Sequence, residues 1–223
     1  MANPQSSDWN IFWKNNRTAQ PKGPSWSKKR ILNIIHPFLG KGKKILDAGC
    51  GSGFFSKYFC NQGMEVVSLD YCDMALEMTR EVTGGRSRIV KQDLLSGQST
   101  KVFNEKFDII FTDGLFEHFA ISHQDKIMQN FISLLAARGF IVTFVPNRWS
   151  PWEIIRPLFM PGIHETPFIL RDLIRLQERS GLSVIERGGI NTLPFGFSPD
   201  KIFGSVFGML LYTIARKNAD FIR

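Results

Sequence analysis

The 223-residue chain has no run of 18 or more apolar residues, so nothing in it reads as a membrane-spanning helix. It is also poor in cysteine. Cys50, Cys60 and Cys72 follow no metal-ligand spacing and are odd in number, which argues against a disulfide framework and for reduced thiols in a cytoplasmic protein. The amino terminus, MANPQSSDWN, lacks a basic segment followed by an apolar stretch, so no secretory signal is expected. No internal repeat and no low-complexity segment is present, which excludes a solenoid or a largely disordered chain. Acids are nearly missing from the first 44 positions. There Asp8 stands alone against Lys14, Arg17, Lys22, Lys28, Lys29, Arg30, Lys41, Lys43 and Lys44. The segment therefore carries the whole net charge of +8, and the remainder is neutral overall.

What is present suits one catalytic domain: 43% of the residues are apolar, enough for a core at this length. Residues 1–43 read as a basic, aromatic arm and helix, and 44–223 as the main domain. Trp9, Phe12, Trp13 and Trp26 are interleaved with the cations of the arm. That pattern suits an anionic membrane surface, a nucleic acid or an acidic substrate. It equally suits a solvated helix whose apolar side closes over a bound ligand. SKKRILNIIHPFL, 27–39, places apolar residues at 31, 34, 35 and 38 on one helical face, and Gly40 and Gly42 follow it. Strands and helices then alternate, with helices near 54–61, 73–82, 122–137 and 169–180, which predicts an α/β fold around a mostly parallel sheet.

The most informative stretch is KILDAGCGSG, 44–53, where a short apolar strand runs into a turn with glycine at 49, 51 and 53 and an acid at Asp47. Glycine there lets the backbone approach a ligand closely, and the helix that follows points its first amides at the same place. The dinucleotide pattern GxGxxG needs glycine at 54, and this chain has Phe54. GMEVVSLD ends in Asp70, twenty-one positions after Gly49, where a carboxylate can accept hydrogen bonds from both hydroxyls of a ribose.

The pattern DxGxGxG, from Asp47 through Gly49, Gly51 and Gly53, resembles the first motif of the class I, Rossmann-like, S-adenosylmethionine-dependent methyltransferases. The resemblance implies a seven-stranded sheet in the order 3-2-1-4-5-7-6 with helices on both faces and the last strand antiparallel. It implies S-adenosylmethionine as cofactor, held by Asp47, Gly49, Cys50, Gly51 and Gly53, by Asp70 and Tyr71, by Asp93 and Leu94 at the adenine, and by Thr112 and Asp113 beside the methionine part. Cys50 within the turn reads as a small buried filler rather than a nucleophile. Many relatives continue with an acidic-apolar-apolar-Glu-His run, whereas this chain reads Gly114-Leu115-Phe116-Glu117-His118. With the first acid missing, no metal is expected.

Over residues 30–216 the chain resembles small-molecule methyltransferases that act on ubiquinone precursors and other phenolic or lipid acceptors. An insertion at 147–168 after the fifth strand is expected to form a cap roofing the acceptor, with a capping box at Ser150-Pro151-Trp152-Glu153 and a short helix that stops or kinks at Pro157. Phenylalanine, at 20 residues, favours an aromatic or lipid-like acceptor over a sugar. Transfer to a phenol or enol needs a base near neutral pH. His164 and His118 are placed for it, with Glu117 or Glu165 orienting them; His36 and His123 read as structural. The function expected is therefore O-methylation of a small apolar or phenolic acceptor, in the cytoplasm or peripherally at a membrane. TDGLFEH does not match the Asn- or Asp-Pro-Pro-aromatic motif of amino-methylating nucleic acid enzymes, which disfavours RNA. The remaining alternative is a regulatory protein that binds the cofactor without turnover.

Overall fold

The computed structural model describes residues 6–16, 23–96, 101–159 and 165–218. Seven strands form one sheet: β1 (Lys44–Ala48), β2 (Glu65–Asp70), β3 (Arg88–Lys91), β4 (Phe107–Asp113), β5 (Leu135–Pro146), β6 (Leu182–Ile190) and β7 (Leu210–Lys217). Their order is β3-β2-β1-β4-β5-β7-β6, as expected. The first five pair in parallel, and β7 is antiparallel to both β5 and β6.

Period-two alternation along the central strands sends side chains to two separate cores. Ile45, Ile109, Phe111, Val142, Phe144 and Ile214 face one side. There they meet Ile31 and Ile35 of α2 (Trp26–Ile35) and Phe55 and Phe59 of α3 (Phe54–Asn61). Leu46, Ile110, Ile141, Val145 and Leu211 face the other. They pack with Ile127 and Phe131 of α5 (Ile121–Leu134) and Leu173 and Leu176 of α7 (Leu170–Arg179). Because Ile31 and Ile35 are fully buried, α2 belongs to the domain's core, and a boundary at residue 43 cuts through that packing. The α-helix ends at Ile35 and tightens into a 3-10 turn over His36–Phe38, where Pro37 can supply no N–H.

The remaining helices are α1 (Ser6–Asn16), α4 (Asp73–Thr83), α6 (Trp152–Phe159) and α8 (Asp200–Phe207). Two boundaries differ from the sequence reading. The helix expected over 122–137 ends at Leu134, and β5 starts at once, because Leu135 pairs with Phe107 before the ladder shifts register between Phe107 and Ile109. In the cap, Ser150 Oγ accepts from Trp152 N at 3.2 Å, and α6 runs through Pro157 to Phe159. It gives up one intrahelical hydrogen bond there and continues.

Candidate active site

The carboxyl ends of β1, β2 and β4 and the start of α3 surround a cavity of about 360 Å³. Its floor is the glycine turn. Gly49 N and Cys50 N both donate to Leu69 O, at 2.8 and 3.0 Å, which ties the end of β1 to the end of β2. Asp70, 8% exposed, accepts from Gly51 N at 3.1 Å on one oxygen and from Cys72 N at 3.0 Å on the other. The Tyr71 backbone also reaches this carboxylate, so the turn's amides hold it in place at the cavity wall.

Asp47 is nearly fully buried and accepts from Ser56 Oγ at 2.6 Å, and Ser56 Oγ lies 2.7 Å from Ser68 Oγ. The motif acid thus fastens β1 to α3 and β2. Burial raises its pKa to about 7. Asp113 is raised to about 6, again by burial, with Lys28 opposing the shift. Lys28 reaches in from α2, lies 4.2 Å over the Phe54 ring and lines the cavity; burial lowers its pKa and Asp113 raises it. Cys50 takes a hydrogen bond from Thr79 Oγ1 at 3.4 Å, and burial, then the charges of Asp70 and Asp47, hold it as a thiol. All three cysteines are free.

Asp47, Gly49, Cys50, Gly51, Asp70, Tyr71, Asp93, Leu94, Asp113 and His118 all line the cavity, so the structure brings most of the expected residues together. Asp93 is the most open of the acids and accepts from Leu95 N at 2.8 Å. Three expected residues are placed elsewhere. Gly53, at φ +74°, caps α3, and a Cβ there would come within 2.7 Å of the Thr79 backbone; its task is to let α3 and α4 pack, and it does not line the cavity. Strand alternation turns Thr112 into the sheet one residue before Asp113, and its hydroxyl is buried without a hydrogen-bond partner among the described residues. Glu117 is 2% exposed and sits behind His118, off the cavity wall. His164 lies outside the described residues.

Glu117 anchors a charged cluster instead. Its Oε1 is 4.0 Å from His118 Nε2, an ionic neighbour beyond hydrogen-bond distance. The cap returns to this point, with Thr166 N donating to Glu117 O at 2.8 Å. Glu165 enters alongside and meets Arg156 at 3.3 Å, and Arg156 also holds Glu153 at 3.2 Å. Burial, then the charge of Glu165, pushes the Glu117 pKa well up. Ligand atoms of Glu117, His118 and Glu165 lie within 4.8 Å of one another. The cap thus brings a second carboxylate, Glu165, beside the Glu117-His118 pair that follows Gly114. Two carboxylates and an imidazole form a donor set suited to a divalent cation, with Arg156 competing for Glu165.

The roof is α1. Trp9 and Trp13 line the cavity, and a Cβ on Gly51, at φ +51°, would lie 2.6 Å from the Trp13 ring. Trp9 stands edge-on to His118 with ring centroids 4.9 Å apart. Asn10 Oδ1 accepts from Met74 N at 3.2 Å and pins the helix to the start of α4. Of the four readings of the arm, this geometry favours the helix that closes over the ligand. Lys28 was missed as a site residue because it was counted among the arm's surface charges. The signal was present, since Lys28 shares a helical stripe with Ile31 and Ile35.

A family model described as a methyltransferase domain matches residues 25–187. The chain is 23% identical over 178 residues to the ubiquinone biosynthesis O-methyltransferase of Leptothrix cholodnii, covering 73% of this chain and 74% of that one. It is 28% identical over 183 residues to the protein of the same name from Ruegeria sp., covering 76% and 69%. Two further relatives of that name are matched over 49% and 64% of their own length. Among solved structures, a SAM-dependent methyltransferase from Anabaena variabilis superposes with a TM-score of 0.70 at 15% identity over 98% of each chain. The N-methyltransferase NodS from Bradyrhizobium japonicum, in complex with S-adenosyl-L-homocysteine, gives 0.67 at 14% identity over 94% of this chain and 98% of that one.

Proposed function

From the premise that the chain belongs to the methyltransferase-domain family and is a methyltransferase using S-adenosylmethionine, we propose that it methylates an oxygen of a small apolar or phenolic acceptor. The cofactor, when bound, supplies an electrophilic methyl group on a positively charged sulfur. The residues fit it. Asp70 offers a carboxylate at the cavity wall to the ribose hydroxyls, Lys28 opposes a carboxylate, and Asp113 opposes an ammonium or sulfonium charge. Asp93 and Leu94, which also line the cavity, are assigned to the adenine.

The chemistry left to the protein is alignment and the handling of one proton. Trp9, Trp13, Leu115 and Phe119 give the cavity apolar walls, and His118 is the one imidazole among its lining residues. That combination carries the reading: an apolar acceptor is excluded from water there, and an imidazole can take a hydroxyl proton near neutral pH. The names of the curated relatives, ubiquinone biosynthesis O-methyltransferases, support the same class of acceptor. A bulky nucleic acid fits the α1 roof poorly. Among the described residues no helix is long and apolar enough to cross a membrane, and we place the enzyme in the cytoplasm with peripheral access to a membrane that holds its acceptor.

The test is a labelled-methyl transfer screen across phenolic, quinone-precursor, lipid and RNA acceptors. Transfer to phenolic hydroxyls supports the reading, and transfer confined to RNA overturns it. Cofactor binding with no transfer to any class would instead mark a cofactor-binding regulator.

A further inference from the structure

The carboxyl edge of the sheet carries an apolar surface that the cavity does not use. β5 and β6 are both antiparallel to β7, so both end at this edge, where the cap and the 191–207 segment begin. Asn147 Nδ2 donates to Val206 O and Gly208 O, each at 2.8 Å, joining the root of the cap to the end of α8. Arg30 bonds Asn191 and Phe195 O, which brings the middle of α2 to the same edge. The cavity lies at the carboxyl ends of the neighbouring strands.

The seating of α8 is unusual. Gly204 is its only buried residue, pressed against Gly189 of β6 so closely that a Cβ on either would collide with the other's carbonyl. The helix thus lies on the sheet by a glycine contact and turns its large apolar side chains outward. Ile202 is 74% exposed, as is Phe197 beside it at 78%. On α6 the same holds for Ile154 at 82% and Leu158 at 80%, next to an exposed Trp149. So much outward apolar surface around one edge marks an interaction face.

Charge identifies the occupant. The acids of the cap and of the 191–207 segment are Glu153, Glu165 and Asp200, and each is matched by an arginine: Arg156 for the first two and Arg30, at 3.2 Å, for the third. Lys29, Arg148 and Lys201 are exposed on the same edge. A second copy of the chain would bring the same cations to the contact and be repelled. We propose that this edge, α6 with α8 and the 193–197 loop, docks on an anionic lipid bilayer and presents the cavity to acceptors dissolved in it. The inference rests on the apolar-acceptor reading for its purpose, although lipid binding itself requires no turnover.

The experiment is co-flotation of the full chain with vesicles of phosphatidylcholine alone or with phosphatidylglycerol added. Binding to the anionic vesicles is expected, weakening with salt. Ile154→Gln with Leu158→Gln, or Phe197→Ser with Ile202→Gln, should each lower vesicle affinity by about tenfold or more. S-adenosylhomocysteine affinity, measured in parallel, should stay unchanged and so certify the fold. Neutralising Lys14, Arg17 and Lys22 should have the smaller effect. No vesicle binding by the intact chain, loss of binding only when those three cations are neutralised, or a dimer in sedimentation that the edge variants dissociate would overturn the proposal. Vesicle binding without methyl transfer to any acceptor would overturn the acceptor reading alone.

Discussion

Replacing Asp70 with alanine removes a carboxylate that lines the cavity and accepts from Gly51 N, at 3.1 Å, and Cys72 N, at 3.0 Å, with the Tyr71 backbone as a further partner. Hydrogen bonds to a charged group contribute about 1.5–3 kcal/mol each, less what water recovers in the space vacated. A ribose that loses two such partners should bind more weakly by about 1–3 kcal/mol, or roughly 5- to 160-fold. The glycine turn loses two anchors as well, so unfolding free energy should fall by about 1–3 kcal/mol. Asp70→Asn, which keeps one acceptor oxygen, should fall between wild type and alanine on both measures. Calorimetry with S-adenosylhomocysteine and urea denaturation report the two effects separately. An alanine variant that loses stability yet binds the cofactor unchanged would show that Asp70 only braces the turn, and the ribose assignment would be refuted.

Asp47 and Asp113 have folded pKa values raised by burial from 3.8 to about 7 and about 6. Their contribution to stability is therefore full below about pH 4 and is lost as pH rises through 6 to 7, by at most about 4 kcal/mol for Asp47; denaturation of the apo protein between pH 4 and 8 checks the slope. Binding the cationic cofactor near pH 6 to 7 should release protons from the same acids, read as a buffer-dependent enthalpy. Gly53→Ala, strained at φ +74° and pressed on Thr79, should cost about 1–3 kcal/mol of stability in urea melts while leaving cofactor contacts in place. Lys28→Ala should weaken cofactor binding by about 1–2 kcal/mol by removing the cation that opposes the cofactor's carboxylate, read by calorimetry with S-adenosylhomocysteine. His118→Ala should slow transfer to a phenolic acceptor by roughly 10²- to 10⁴-fold at neutral pH if it takes the hydroxyl proton, with a smaller loss on an acceptor supplied already ionised.

The sheet was legible because alternation within each strand and short glycine-punctuated connections are local signals, and the order of strands followed from the motif. The acids at Asp47, Asp70, Asp93 and Asp113 were legible for the same reason, each lying at or just past the carboxyl end of a short strand. What escaped was non-local or depended on a single step of phase. Thr112 and Asp113 are adjacent, yet the pleat sends one into the sheet and the other to the cavity. Gly53 was read with its neighbours as part of the cradle, whereas its space is filled by Thr79 and Val82 from a helix twenty-odd residues on. Glu165 was expected only as one of two acids that could orient the histidines; its approach to both Glu117 and His118 depends on how the cap folds back, which no spacing rule encodes. β5 started early because a bulge opposite Phe107 made room for residues that read as the end of a helix.

The most direct test of the central claim is a single turnover with S-adenosylmethionine carrying a ¹³C-labelled methyl group and a phenolic quinone precursor, followed by carbon NMR of the acceptor. The account predicts one new methoxy resonance, formed by the wild type and formed much more slowly by the His118→Ala variant. Label appearing on ring carbon or on nitrogen, or remaining on the cofactor with every phenolic acceptor tried, would contradict it.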